Sequence, residues 1–271
     1  MKDQIIEYVR KLFDEGKIQG FLGLRQDGEH VEPYLFKSTD EMQDLSLGDL
    51  DRTGEARYPV VKVLTWLFSQ DPSATYAVLV RGCEERQYQK LVQASQLSDR
   101  RVILVGIPCT EELAKEHGCL KPYPEQMVVG SKPSVPESGK VVTATPRNLI
   151  RDMEFLKEIS ERCMKCYGCR NICPVCFCKE CTLEEEIFVP KSNIGPPPAN
   201  PDFLLTRAIH MVGYCTYCGL CEEACPADIP LKTLYKMVAN IMNEQHGYQM
   251  QGLPPRGDEK KTDEQEQKEA V

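Results

Sequence analysis

The sequence predicts a chain in two parts: an α/β half with a small, mostly parallel sheet, then a cysteine-rich half flanked by helices. Three observations predict this. Two short apolar runs alternate with helix-like stretches before residue 120. Eleven of the fourteen cysteines fall between Cys163 and Cys225. The segments leading into and out of those cysteines have helical rather than alternating periodicity.

Residues 1–17 read as a helix, because Ile5, Ile6, Val9, Leu12 and Phe13 form one apolar stripe. Gly16 breaks it, and Ile18 to Leu24 is strand-like. Gln26-Asp27-Gly28 signals a turn, so Val31 to Phe36 is the expected return strand. Tyr76 to Val80 is a continuous apolar run ending at Arg81-Gly82-Cys83, with a helix-like stretch from Glu84 to Ala94. Val102 to Val105 is a second run, ending at Gly106-Ile107-Pro108-Cys109, with another helix starting near Glu111. Strand–helix–strand–helix order is the signature of parallel pairing.

Residues 121–146 are rich in Pro, Ser, Gly and Val and read as a linker, with one strand at Lys140 to Thr143. Thr145-Pro146 then has the form of an N-cap followed by an N1 proline. The helix it opens sets Leu149, Met153, Leu156 and Ile159 on one face. Residues 184–200, centred on Gly195-Pro196-Pro197-Pro198, are irregular, and Asp202 to Met211 returns to helix. Pro230 starts a last helix with Leu231, Leu234, Val238 and Ile241 inward, stopping at Gly247. The expected domains are therefore 1–145 (α/β), 146–247 (cysteine-rich) and 248–271, a polar and charged tail expected to be disordered.

Bulk composition excludes several classes. The formal net charge is −8, against the basic stripe that a phosphate backbone requires, so no nucleic-acid partner is expected. No run of about 18 apolar residues is present, so no membrane span is expected. The first residues lack an apolar leader, which makes the cytoplasm the expected compartment. In a cytoplasmic chain, fourteen cysteines point to metal or redox chemistry rather than disulfides.

The cysteine spacing names that chemistry. Cys163, Cys166, Cys169 and Cys173 precede Pro174; Cys215, Cys218, Cys221 and Cys225 precede Pro226. Each set is Cys-x-x-Cys-x-x-Cys-x-x-x-Cys-Pro, the run that holds 4Fe–4S clusters in bacterial ferredoxins. Two-residue gaps let a tight turn aim successive sulfurs inward, where amide N–H groups stabilise their charge. In two-cluster ferredoxins the fourth cysteine of each run serves the other cluster. One cluster is thus assigned to Cys163, Cys166, Cys169 and Cys225, the other to Cys215, Cys218, Cys221 and Cys173. Structural zinc is the competing reading, but zinc sites usually pair two Cys-x-x-Cys units. The 41 residues between Cys173 and Cys215, with helical flanks, favour an α-helical ferredoxin domain over the small ββ type.

Six cysteines remain. Cys83 and Cys109 follow consecutive strands, whose carboxyl ends lie on one edge of a parallel sheet, where ligands usually bind. They form a third cluster or a redox dithiol, helped by Cys119 or by Cys176, Cys178 and Cys181; otherwise they are small buried hydrophobes. Arg162, Lys165, Arg170 and Lys179 around the first run, and Glu222, Glu223 and Asp228 around the second, read as a solvated surface. His210 reads as a core or cluster-neighbouring residue rather than a ligand.

Ala77-Val78-Leu79-Val80-Arg81-Gly82-Cys83-Glu84-Glu85-Arg86 and Val105-Gly106-Ile107-Pro108-Cys109 resemble the beta subunits of deazaflavin-reducing hydrogenases and formate dehydrogenases. Residues 162–181 and 207–231 resemble the dicluster parts of that family's relatives in heterodisulfide-reductase-like and flavin oxidoreductase complexes. The resemblance implies an iron–sulfur subunit that passes electrons between a flavin- or hydride-handling partner and a catalytic subunit. It also implies a possible FAD and reduction of a soluble deazaflavin coenzyme. The chain has no Gly-rich dinucleotide fingerprint, which favours an electron-transfer subunit over a complete enzyme.

Overall fold

The structure, a computed structural model, describes residues 1–119, 121–134, 149–185 and 201–248. The strand expected at 140–143, the Thr145-Pro146 cap, the Gly195–Pro198 segment and the tail from Gly252 lie outside the described residues.

The first helix, α1 (Lys2–Asp14), buries Ile5, Val9 and Leu12 along the anticipated stripe. It leads to β1 (Gly20–Asp27) and β2 (His30–Phe36), an antiparallel hairpin closed by Gly28 at φ 58°. A two-residue strand, β3 (Leu45–Ser46), pairs antiparallel with β1 at Leu24 and Arg25. The two apolar runs form β4 (Tyr76–Val80) and β5 (Val102–Gly106), each followed by its expected helix, α3 (Gly82–Gln93) and α4 (Glu111–Glu116). The main path of the sheet is β2-β1-β4-β5. Only β1–β4 and β4–β5 are parallel, so the sheet is mixed rather than mostly parallel. The reason is the turn at Asp27-Gly28, too short for anything but an antiparallel return.

One helix was absent from the sequence reading. In α2 (Val60–Gln70), Val60, Val61 and Leu64 are buried against the sheet. Its β-branched residues weaken the helical signal, and packing on the sheet overrides that preference.

Strand alternation divides the apolar residues between two layers. Ala77 and Leu79 face α1, with Phe21, Phe36 and Val105. Tyr76, Val78 and Val80 face the other way, into a cluster that also takes in Leu64 of α2 and Leu91 of α3. That second cluster continues without a break into the cysteine-rich half, through Leu156 and Ile159, Phe203 and Leu204, and Leu231 and Leu234. Among the described residues of that half the regular elements are helices: α5 (Leu149–Arg162), α6 (Gly168–Asn171), α7 (Pro201–Met211), α8 (Leu220–Glu223) and α9 (Leu231–His246). On α5, Leu156 and Ile159 are buried as expected, but Met153 is 56% exposed.

Polar contacts join the halves as well. Arg57, its side chain 6% exposed, pairs with Glu223 and donates through Nη2 to the carbonyl of Cys218 at 2.8 Å. Lys62 Nζ donates to the carbonyl of Asn171 at 2.7 Å.

The glycines that end β4 and β5 have a specific role. A Cβ at Gly82 would lie 2.5 Å from the carbonyl oxygens of Lys121 and Tyr123, and one at Gly106 would collide with the carbonyl of Gln126. Residues 121–126 therefore cross the carboxyl edge of the parallel strands as a strap that tolerates no side chain beneath it. Arg86 holds the strap through Nη1 to the Lys121 carbonyl at 3.0 Å, and Glu85 accepts from the Glu125 amide at 2.8 Å.

Two outcomes follow from this packing. Gly106→Ala should destabilise the protein by about 1–3 kcal/mol, read as a lower thermal unfolding midpoint. Gly213→Ala, where a Cβ meets nothing within 4 Å, should change it by no more than about 0.5 kcal/mol. Arg57→Met, which strips the charged hydrogen bonds between the halves, should cost about 1.5–3 kcal/mol in the same measurement.

Candidate metal centre

The two cysteine runs fold alike, position for position. Lys165 and Tyr217, each two residues after the first cysteine of its run, have φ of 52° and 59°. Tyr167 and Gly219, two residues further on, have φ of 59° and 88° and cap α6 and α8. Left-handed backbone at a non-glycine residue costs on the order of 1–3 kcal/mol, so three such residues here are held by their surroundings. What the turns gain is amide donors aimed at sulfur. The amides of Gly168 and Tyr217 donate to Cys166 Sγ at 3.5 Å and Cys215 Sγ at 3.4 Å. The amides of Lys165, Val175 and Leu220 likewise face the sulfurs of Cys163, Cys173 and Cys218.

The runs also interlock. Cys163, Cys166 and Cys169 line one small cavity together with Cys225 from the second run, and Phe203, Leu204, Ile229 and Leu231 wall it. Cys173 of the first run lies near Cys215, Cys218 and Cys221 of the second. A Cβ on Gly168 would sit 3.0 Å from the Ala224 carbonyl, which shows how closely α6 and α8 approach. Arg162 fastens the crossing by donating to the carbonyls of Ala227 and Asp228 at 2.5 and 2.7 Å.

Burial pushes the thiols of Cys163, Cys169, Cys173, Cys215 and Cys221 above their ordinary value, and that of Cys218 up to about 12. As free side chains these are neutral thiols, and only a bound cation would make thiolates of them at neutral pH. Among the described residues, no three His, Cys, Asp or Glu side chains converge on one point as a single ion requires. Cys163, Cys166, Cys169 and Cys225 surround a space instead. An all-sulfur donor set around a space, with amides aimed at the sulfurs, fits an iron–sulfur cluster better than a mononuclear zinc ion.

Arg207 completes the fit and was not singled out in the sequence. It is 2% exposed, donates through Nη1 to Cys176 Sγ at 3.4 Å, and through Nη2 to the Cys169 carbonyl at 2.9 Å. Among the described residues it has no carboxylate partner, and its Nε is buried without a hydrogen bond. A guanidinium cannot shed its charge, so this one requires negative sulfur nearby. The signal was present: Phe203, Leu204, Ala208 and Met211 put position 207 on the apolar stripe of α7. The buried hydroxyl of Tyr235, also without a partner, lies beside it and feels the charge of Cys221.

The remaining predicted residues separate into two groups. Cys83 opens α3 and Cys109 follows β5; Cys109 feels Cys83 and Cys119, and burial pushes it up to about 12. Arg86 Nη2 lies 3.8 Å from Cys119 Sγ. The strap runs over them, with the Cys109 amide donating to the Pro122 carbonyl at 2.8 Å, so the strand-edge crevice is covered. Cys83 also lies close enough to Cys218 to raise that thiol. Cys176 and Cys178 line a different cavity, with Lys62, Arg170 and Lys179, while Cys181 precedes a short 3-10 turn beside Tyr167. His210 is exposed, not in the core. Several flanking charges are not a solvated surface either: besides Arg162, Arg170 pairs with Glu184, Glu223 with Arg57, and Glu222 caps α9 at the Lys232 amide.

A cavity of about 640 Å³ lies between the halves, lined by Asp49, Arg57, His117, Glu222, Glu223 and Lys232. Burial pushes Asp49 up, but His117 and Arg81 outweigh it and hold the carboxyl below its ordinary value. Asp49 is bound by Arg81, which also reaches Glu84 at 3.3 Å.

Comparison with known proteins agrees with this geometry. The family described as "4Fe-4S binding domain" matches residues 209–230, which contain all four cysteines of the second run. The chain is 42% identical over 96 residues to an F420-dependent formate dehydrogenase subunit beta of Methanocaldococcus jannaschii, a match covering 35% of this chain and 25% of that protein. It is 40% identical over 87 residues to an F420-dependent formate dehydrogenase 1 subunit beta of Methanococcus maripaludis, covering 32% and 22%. The matched stretch thus spans a quarter or less of those relatives. Over about a third of its length, the chain is similar to the beta subunits of F420-dependent formate dehydrogenases, the deazaflavin-reducing group that its sequence resembles.

Proposed function

We propose that the chain is an iron–sulfur electron-transfer subunit of a multi-subunit oxidoreductase, holding two 4Fe–4S clusters. One is held by Cys163, Cys166, Cys169 and Cys225, the other by Cys215, Cys218, Cys221 and Cys173. The observation that carries this reading is the cavity in which a cysteine of the second run joins three of the first. Such clusters supply one-electron relay chemistry, commonly at low potential. The chain's own residues hold the sulfurs, shield most of them from water and direct amides and Arg207 at their charge. The partners on this reading are a flavin- or hydride-handling subunit on one side and a heterodisulfide-reductase-like or other catalytic subunit on the other. Assembly in the cytoplasm is part of the same proposal.

One observation favours a second reading, an FAD-containing oxidoreductase that reduces a soluble deazaflavin-type coenzyme. The cavity of about 640 Å³ adjoins the second run and presents the cations of Arg57 and Lys232. With the strap over the strand edge, a flavin would have to occupy that cavity rather than the crevice of Cys83 and Cys109.

Protein purified without oxygen should contain about eight irons per chain and release no flavin on denaturation. About twelve irons would add a third cluster, for which Cys83, Cys109 and Cys119 are the candidates, and released flavin would select the enzyme reading. Cys163→Ser and Cys225→Ser should abolish the same cluster's electron paramagnetic resonance signal, and Cys173→Ser and Cys215→Ser the other. If Cys225→Ser instead removes the signal lost in Cys215→Ser, the crossed assignment is wrong.

A further inference from the structure

We propose that Arg207 is a positioning residue shared by both cluster sites, and that its buried charge raises the reduction potential of both. The inference rests on the two-cluster reading above. Arg207 projects from α7 into the seam between the cysteine runs. It donates to the Cys169 carbonyl at 2.9 Å on one side and to Cys176 Sγ at 3.4 Å on the other. Cys176 in turn donates its amide to the Cys173 carbonyl at 3.3 Å, which places Arg207 beside Cys173 as well as Cys169. These two cysteines belong to different clusters in the crossed assignment, so one guanidinium lies beside a ligand of each.

The sign of the effect follows from charge. Reduction adds one electron, and a neighbouring cation stabilises the more negative state more than the less negative one. Three features make the effect large here. The guanidinium is charged at every accessible pH. It is 2% exposed, so bulk solvent and salt screen it little. Among the described residues no carboxylate neutralises it, so its full charge acts on sulfur. Lys62 offers a contrast: its ammonium contacts carbonyls of the first run only, those of Asn171 and Cys173, and it is not fully buried.

The experiment is a redox titration of the iron-loaded full chain, followed by electron paramagnetic resonance, for the wild type, Arg207→Gln and Arg207→Lys. Arg207→Gln should keep its iron and shift the reduction equilibrium of both clusters towards the oxidised form by tenfold or more, a fall of at least about 59 mV for one electron. The shift should persist at high salt, and Arg207→Lys should restore most of it. Potentials within twofold of wild type in reduction equilibrium, or a shift in one cluster only, would overturn the inference and leave the two-cluster reading intact. If Arg207→Gln fails to load iron, Arg207→Lys decides. Full loading with near-wild-type potentials supports a role for charge, and failure to load shows a packing role and overturns it. Wild-type protein without two clusters would overturn the underlying reading itself.

Discussion

A thiolate withdrawn from water must be met by N–H groups, by a cation or by metal, and the cysteine-rich half is arranged to supply the first two. Its backbone adopts the left-handed conformation at Lys165, Tyr167 and Tyr217, where a helix would have been less strained. Those turns are what point successive amides at sulfur. A helix through the same residues would bind its amides to its own carbonyls and leave the sulfurs without donors. The strain is sustained by packing: α6 and α8 approach so closely that a Cβ at position 168 would sit 3.0 Å from the Ala224 carbonyl, and Arg162 binds the exit of the second run to the end of α5. Each run supplies part of the other's walls.

The α/β half packs against this module through one continuous apolar cluster. The faces of β4 and α2 that look away from α1 pack into the same cluster as α5, α7 and α9. Fixed charges then set the register. Arg57 reaches the Cys218 carbonyl, Lys62 reaches the carbonyls of Asn171 and Cys173, and Lys232 reaches the His117 carbonyl at 3.4 Å. Each of these cations reaches a backbone carbonyl, and Arg57 also pairs with Glu223 and Lys232 with Glu222, so movement of either half breaks several bonds at once. The strap over β4 and β5 belongs to the same logic. It fills the strand edge where α/β sheets usually bind ligands, and leaves the larger cavity at the junction of the halves.

Much of this was legible in the sequence where one local rule acted alone. The run 76–80 is buried on both faces and 102–106 is partly to fully buried, so they read as unbroken apolar strands. The duplicated cysteine spacing could be read because it is the same in both runs. Features set by contacts distant in sequence were not legible. The Asp27-Gly28 turn was visible, but its consequence for sheet type was obscured by the parallel pairs that follow. Gly82 and Gly106 carried no signal of their own in the sequence, whereas their missing side chains make room for residues 121–126. Met153 and His210 lie on helices with a good apolar period yet face solvent. Arg207 broke the apolar pattern of α7, and such a break is the sequence mark of a buried charge with a purpose.

The two runs share a turn geometry and differ in surroundings. Around the first, Cys166 is exposed and Met164 is 56% exposed. Around the second, Cys221 is buried, and Arg57 covers the Cys218 carbonyl from the other half of the chain. Identical ligand spacing therefore does not make equivalent sites, because hydrogen bonding and access of water to sulfur govern a cluster's potential as much as ligand identity does. The duplication supplies two similar binding turns, and the α/β half makes them unlike by touching each differently, through Lys62 at Asn171 and Cys173 and through Arg57 at Cys218. The turn at Cys166 meets solvent, while the Cys218 carbonyl is covered by Arg57 from the other half of the chain.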